Sequence, residues 1–584
     1  MIYGQIPGPL IPGHHQNLFS TCGAAILMMD NCPFCIPALP HFPQRAEPFS
    51  LEKSAYPDVP NCNRPFSFPP GQGIIVKNKR REANSIADYT RLQNGSDVRG
   101  VALPGVEGEP VNLTPEAART ILRAFVRWLA EKKGKAPREL TIGVGRDSRL
   151  SGPELAAAAM EGISLEGAAC RDCAMASTPA MFMSTVLPGF GWDGAVMVTA
   201  SHLPWNRNGL KFFTSQGGLE SGDVRKVLAL AGEPFPRRET EGAPEKADLM
   251  GAYSAHLREV IIRGVNAGER PLEGFKIAVD AGNGAGGFFA RQVLEPLGAD
   301  ISASLYLEPD GHFPNHIPNP EDKAAVDSIR QAVLAGGCDL GILFDTDVDR
   351  AGAVDRDGRE LCRNRLIGLL AAIVAAEAPG SAVVTDSVTS AQLADFLTGR
   401  LGLIHRRFKR GYKNVINEGI RLNQEGTPCL LAIETSGHAA MGENYFLDDG
   451  AYVAVKLLIQ AARLRREGRT LGALLEGLEE PLEAVEYRLP IRAEDFRAYG
   501  QQVLEGLEDY ANGRPGWQTA PDNCEGLRIS FPEEKGWFLL RMSLHDPLMP
   551  LNIESSRPGG TQAILDLLRP FLARWKELNL SRLP

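Results

Sequence analysis

The sequence predicts an α/β protein: three tandem α/β domains with mixed sheets flanked by helices, a smaller C-terminal α+β domain, and an active cleft where the four meet. Three observations carry this expectation. Short apolar runs such as Ala195–Val198, Leu340–Phe344 and Cys429–Ile433 alternate with segments of helical apolar spacing. The pattern restarts twice, and each unit places a polar, chemistry-bearing loop directly after an apolar strand. From about Ala484 the text changes to a helix over 496–510, two hairpin-like strands (526–530 and 536–540) and a closing helix over 562–578.

Taken in order, residues 1–83 are rich in proline and hold four cysteines without sustained periodicity, so they read as a disordered extension. The start lacks a basic n-region and makes a poor signal peptide. Residues 84–268 form the first expected domain, with a helix over 115–132 (Ala118, Ile121, Leu122, Phe125, Trp128, Leu129) and strands over 140–144, 168–175 and 195–198. Residues 269–365 form the second, with strands at 275–280 and 340–344. Residues 366–482 form the third, with strands at 382–385 and 429–433 and a helix over 451–465, and residues 483–584 form the fourth.

A chain of 584 residues matches roughly four domains at ~150 residues each. Its net charge of −9 argues against a general nucleic-acid binder but leaves room for small anions held by local Arg and Lys. The longest clean apolar run, Leu366 to Ala376, falls short of the ~20 residues that span a bilayer, so no membrane segment is expected. Cys32-x-x-Cys35 and Cys170-x-x-Cys173 lie too far apart for a compact zinc site. Cys338, Cys362, Cys429 and Cys524 read as core thiols in a reducing cytoplasm.

Four stretches carry chemistry. In Val198-Thr-Ala-Ser-His-Leu-Pro204, continuing to Asn208-Gly-Leu-Lys211, a serine hydroxyl stands at a strand end beside a histidine and a lysine, although an ordinary turn has the same composition. Phe344-Asp-Thr-Asp-Val-Asp-Arg350 sets Asp345, Asp347 and Asp349 at alternate positions, where an extended loop aims them together at one hard cation. Arg350 and Arg356 stand where a calcium loop needs Gly and Glu, so Mg²⁺ is favoured, the alternative being a solvated acidic turn. Glu434-Thr-Ser-Gly-His438 offers a carboxylate, a hydroxyl and an imidazole to sugar hydroxyls or a phosphate. In Leu540-Arg-Met-Ser-Leu-His-Asp-Pro547, Arg541 and Ser543 are natural phosphate ligands and His545 is a further donor.

Together these stretches resemble the α-D-phosphohexomutases, the phosphoglucomutase and phosphomannomutase superfamily, from about Asn94 to the C-terminus. The family's loops read T-A-S-H-N-P with N-G-x-K, D-G-D-G-D-R, G-E-x-S-G-H and R-P-S-G-T-E-P. Here Leu203, Thr346, Val348, Ile433, Leu544, His545 and Asp546 depart from them. Smaller likenesses are Asp97-Val-Arg-Gly100, Gly145-Arg-Asp-Ser-Arg149, Lys409-Arg-Gly-Tyr412 and a run from Pro309 to Glu321 with no evident chemical role.

The resemblance implies a phosphoserine at Ser201, which would also join Asp345, Asp347 and Asp349 around Mg²⁺. It implies catalytic roles for His202, Lys211 and Arg99, with Lys211 the first candidate acid/base because cationic neighbours would lower its pKa. Substrate contacts would come from Arg350, Lys409, Glu434, Ser436, His438, Arg541, Ser543 and His545. The implied reaction moves phosphate between the 1- and 6-positions of a mannose or glucose phosphate through a hexose 1,6-bisphosphate, in a cytoplasmic monomer or homodimer. A phosphoglucosamine mutase, a phosphatase using Asp345 as nucleophile, and a non-catalytic sugar-phosphate-binding protein are the alternatives.

Overall fold

The computed structural model describes residues 88–240, 242–543 and 546–584. The proposed extension at 1–83, Cys32, Cys35 and His545 lie outside the described residues. Among the described residues four sheets form in succession, of eight, three, five and five strands.

The first sheet is the frame of the serine loop. Thr141–Arg146 lies parallel to Ala169–Met175 and to Gly194–Val198. Gly194–Val198 pairs antiparallel with Arg207–Thr214, which pairs antiparallel with Asp97–Val101. The loop carrying Ser201 therefore joins two neighbouring strands, with Lys211 opposite Met197 and Arg99 opposite Gly209.

Behind the sheet packs the helix Pro115–Lys133. It begins where the Thr114 side chain accepts the Ala117 N–H and stops at Gly134 in the left-handed region (φ 62°). Its Ile121, Leu122, Phe125 and Leu129 recur at helical spacing and are fully buried.

In the second sheet Leu340–Phe344 is central, parallel to Ile277–Asp280 and antiparallel to Ala351–Asp355. The acidic loop is thus the connection of a tight hairpin. The third sheet runs Ile404–Phe408, Ala382–Asp386, Cys429–Ile433, Ala439–Met441 and Leu447–Asp448, its first three strands parallel. The last sheet is antiparallel throughout, ordered Glu483–Pro490, Leu548–Ser555, Gly536–Leu540, Leu527–Phe531 and Gln518–Thr519.

One apolar cluster runs from Cys173 to Leu475 and holds the second and third sheets together with the helix Thr178–Met183 of the first unit. The last sheet keeps its own cluster, Leu489 to Leu578. The closing helix is shorter than expected, Gly560–Leu572. Beyond it the chain turns, and Leu578 is buried by bridging to Ile491 rather than by lying on a helix face. No helix among the described residues is long and apolar enough to cross a membrane.

Candidate active site

Ser201 leaves its strand in a left-handed conformation (φ 52°), which costs a non-glycine residue energy and turns the hydroxyl toward the acidic loop. Its Oγ donates to Asp345 Oδ2 at 3.0 Å and receives a bond from Arg350 Nη2 at 3.1 Å. The loop is held from behind by Arg149, a fully buried guanidinium. Arg149 donates to the backbone oxygens of Ser201, Leu203 (2.5 Å), Pro204 (2.8 Å) and Arg207 (2.9 Å). Because the grip is on carbonyls, the departure at Leu203 leaves the loop intact. Arg149 is the chemistry inside the Gly145–Arg149 stretch, whose motif was visible in the sequence but whose role was not.

The three aspartates do converge: their oxygens lie within 4.8 Å of one another and all three are buried. The cause differs from the alternation argument. Residues 345–349 form a tight turn in which the Val348 N–H reaches Asp345 O (3.3 Å) and Val348 takes φ 67°. Thr178 Oγ1 and N–H hold Asp347 at 2.5 and 2.8 Å, a contact with no signal in the sequence. Gly284 lets the first loop of the second unit lie against Thr346, where a Cβ would meet the Thr346 backbone at 2.6 Å. That is what the Gly282–Gly286 run does here.

The donor set fits a hard divalent cation. Besides the three carboxylates and the Ser201 hydroxyl, Asp347 Oδ1 and Asp349 Oδ1 are buried with no hydrogen-bond partner, a state that carboxylates avoid unless a ligand completes it. Asp349, His438 and Asp448 form a second, overlapping group.

Lys211 Nζ meets Asp347 at 3.0 Å and Asp349 at 2.5 Å. This corrects the expectation for its pKa. Burial pushes it down, but the flanking carboxylates of Asp347 and Asp349 outweigh burial and hold it well above the ordinary lysine value. At Asp349 burial is in turn outweighed by Lys211, His438 and Arg350, which keep its carboxyl ionised. At Asp345 burial and the Asp349 carboxylate win, and its pKa is raised.

His202 Nδ1 accepts from Arg350 Nη2 at 2.7 Å. Burial, then Arg350 and Arg99, push its pKa down to about 2, so the ring is neutral. Arg99 pairs with Asp97 at 3.0 Å and reaches toward Ala200 O. Arg350 Nη1 donates to Asn319 Oδ1 at 3.0 Å, so the run from Pro309 to Glu321 braces Arg350.

The third unit brings Glu434, Ser436 and His438 to the same place. Ser436 Oγ donates to Glu434 Oε2 (3.3 Å) and the Gly411 N–H to Oε1 (2.5 Å). Burial, then Asp386, lift Glu434 to about 7. His438 stacks on Tyr412 and pairs with Asp448 at 2.6 Å. Burial lowers its pKa, but Asp448 and Asp349 raise it to about 9.

The two loops are joined through backbone. Arg350 and His438 form a β-bridge, the Gly450 N–H reaches Val348 O at 3.1 Å, and a Cβ on Gly450 would meet the Arg350 carbonyl carbon at 2.5 Å.

One expected contact is placed differently. Lys409 is exposed, and its neighbour Arg410 turns inward, 3.4 Å from Glu321 and 3.8 Å from Asp386. Both residues lie just past the strand Ile404–Phe408, where the chain bends before the helix at Tyr412. Arg541 is buried and faces Glu525 at 3.7 Å, and Ser543 Oγ accepts the Asp546 N–H at 3.2 Å.

Models of phosphoglucomutase/phosphomannomutase α/β/α domains I, II and III match residues 90–230, 252–358 and 363–481. A phosphoglucomutase of Neisseria gonorrhoeae is 31% identical over 482 residues, covering 82% of this chain and 96% of that protein. A phosphomannomutase/phosphoglucomutase of Pseudomonas aeruginosa is 30% identical over 473 residues, covering 81% and 94%. A solved phosphoglucomutase/phosphomannomutase family protein from Burkholderia thailandensis superposes with a TM-score of 0.67 at 27% identity, over 83% of this chain and 98% of that one. The chain belongs to the phosphoglucomutase/phosphomannomutase family.

Proposed function

We propose that this protein is a phosphohexomutase that moves phosphate reversibly between the 1- and 6-positions of glucose or mannose phosphate. The observation that carries it is the Ser201 hydroxyl, buried between Asp345 and Arg350 and beside three convergent carboxylates. The named relatives favour glucose and mannose phosphates as substrates.

In this reading Ser201 carries the phosphate. A sugar hydroxyl attacks phosphorus as the P–Oγ bond breaks; Ser201 Oγ takes a proton from Lys211 and the proton given up by the hydroxyl restores Lys211, giving a hexose 1,6-bisphosphate; the reverse step, at the other end of the sugar, returns phosphate to Ser201. Asp345, Asp347, Asp349 and the Ser201 oxygen would hold Mg²⁺, which supplies positive charge opposite the transferring group. Arg350, fixed by Asp345 and Asn319, adds a guanidinium at the same oxygen.

Lys211 is held protonated and is the proton donor toward the departing oxygen, while Arg99 adds positive charge beside it. The neutral His202 has its Nδ1 occupied by Arg350, so it orients that guanidinium rather than taking a proton. Glu434, Ser436 and His438 would bind sugar hydroxyls, and Arg541, Ser543 and His545 the phosphate that is not moving.

The test is a coupled assay on glucose 1-phosphate and mannose 1-phosphate, with Mg²⁺ and catalytic hexose 1,6-bisphosphate, alongside mass spectrometry of Ser201. Turnover with phosphate on Ser201 is expected. Activity surviving in Ser201→Ala but lost in Asp345→Asn would instead support a phosphatase.

A further inference from the structure

One stretch of the last sheet reaches across to the third at regular spacing. Asp522 accepts from Arg407 Nη1 at 2.8 Å, Glu525 Oε2 accepts from Ser387 Oγ at 2.6 Å and from the Arg410 N–H at 3.0 Å, and Arg528 Nη1 donates to Ser387 O and Thr389 O at 2.8 and 3.1 Å. Arg528 also stacks on Trp537, 3.5 Å from the ring centre. Asp522 and Arg528 end there, engaged with the third unit alone or with their own sheet. Glu525 does not.

One Glu525 oxygen is fixed by two donors of the third unit. The other, Oε1, faces Arg541 Nη1 at 3.7 Å, with side-chain exposures of 11% for Glu525 and 6% for Arg541. Arg541 otherwise donates to its neighbour's backbone, Met542 O at 3.3 Å, and its Nε is buried without a hydrogen-bond partner. A buried guanidinium with an unmet donor needs an anion to settle its aim. Glu525 is a carboxylate that holds Arg541 and the backbone of Arg410 in one grip, and so couples the last sheet's cation to the loop that carries Glu434's partner Gly411.

We propose that Glu525 is a positioning residue: it fixes the direction of Arg541 relative to the third unit, and thereby sets the affinity of the cleft for the stationary phosphate. This rests on the mutase reading, in which Arg541 binds that phosphate. Glu525 stays beside the guanidinium and limits the directions open to it. Substrate phosphate then meets a charge already oriented, without the entropy cost of ordering a long side chain on binding.

The experiment compares Glu525→Ala, Glu525→Gln and Asp522→Asn with the full-length wild type in the coupled assay, using inorganic phosphate as a competitive inhibitor and thermal melting as the check on folding. Glu525→Ala is expected to raise KM and the inhibition constant of inorganic phosphate together, at least tenfold, while kcat stays within threefold. Glu525→Gln, which keeps the side-chain shape, serves where the alanine variant does not fold and is expected to shift both constants the same way.

Asp522→Asn loosens the same contact between sheets without touching Arg541 and is expected to leave KM within twofold. Unchanged constants in both Glu525 variants would overturn the proposal. So would an Asp522→Asn effect as large as that of Glu525→Ala, because general docking would then be the cause. Absence of turnover in the wild type would count against the mutase reading instead; calorimetric titration of inorganic phosphate into the same variants still decides the role of Glu525.

Discussion

Around Ser201 the charged groups meet at 2.5–3.1 Å: Lys211 with Asp349 and Asp347, Arg350 with Ser201, and Ser201 with Asp345. Around Arg541 they stand farther off: Arg410 lies 3.4 Å from Glu321, at the edge of hydrogen-bond range, and 3.8 Å from Asp386, and Arg541 lies 3.7 Å from Glu525. Beyond about 3.5 Å a pair keeps most of its Coulomb attraction but loses the directional hydrogen bond. The serine end is therefore preorganised, with each side chain aimed before substrate arrives. The far end is aimed by charge alone: Glu525 lies beside Arg541 at 3.7 Å without a hydrogen bond to lock it. In the mutase reading proposed above, this division would suit a sugar bound in two orientations: hydrogen-bonded where phosphorus moves, held by charge where the other phosphate would rest.

That contrast can be broken at either end. The largest effect is expected at Ser201→Ala, a loss of at least about 1000-fold in turnover, or about 4 kcal/mol in barrier, in the coupled assay with unchanged melting. Next comes Arg149→Ala, which removes one donor from each of four loop carbonyls and leaves Asp147 buried without its charge partner. It should cost about 3–5 kcal/mol of stability by denaturant unfolding, with activity falling in step.

At the far end, Arg410→Ala should raise KM about tenfold, roughly 1.4 kcal/mol, while Lys409→Ala stays within about twofold. The reverse order would mean that the strand end turns over on binding.

Smaller still is Val348→Gly. Relief of the positive φ returns about 1–2 kcal/mol, but losing the buried valine and loosening the unfolded chain cost more. A net destabilisation of about 1 kcal/mol is expected in thermal melts.

The smallest effect lies outside the cleft. Burial lowers the pKa of His316, but its bond to Asp280 (3.1 Å) outweighs burial and raises it. Its stabilising contribution is complete below the unfolded value of about 6.5 and disappears as pH rises through the higher folded value. His316→Gln should flatten that part of the stability–pH curve by less than about 1 kcal/mol. A steeper curve in the variant would refute the assignment.

The sequence made the serine end legible because its motifs are short, local and tied to strand ends. Ser201, the three aspartates and Arg350 were all identifiable, and so was the alternation that builds the first three sheets. What stayed hidden depends on chain segments far apart in number. Thr178 on Asp347, Asn319 on Arg350 and Arg149 under the Ser201 loop are contacts between separate stretches, and periodicity does not encode them. The choice between Lys409 and Arg410 turned on the bend that follows the strand Ile404–Phe408, and composition does not say which of two adjacent cations a bend turns inward. The lysine's proton affinity was misjudged for the same reason: its true neighbours, Asp347 and Asp349, come from more than a hundred residues away.

The separate apolar cluster of residues 489–578 has a consequence for how the molecule comes apart. The largest cluster, from Cys173 to Leu475, binds stretches of the first three units, the first of which also keeps its own cluster from Leu92 to Ala231, and a backbone bridge pins the second to the third. The last hundred residues adjoin those units mainly through polar contacts, so they form their own foldon. Amide protons of Leu527–Phe531 and Leu548–Ser555 should exchange through a subglobal opening at lower free energy than those of Leu340–Phe344, and among the described residues a protease would find its first cut in that segment.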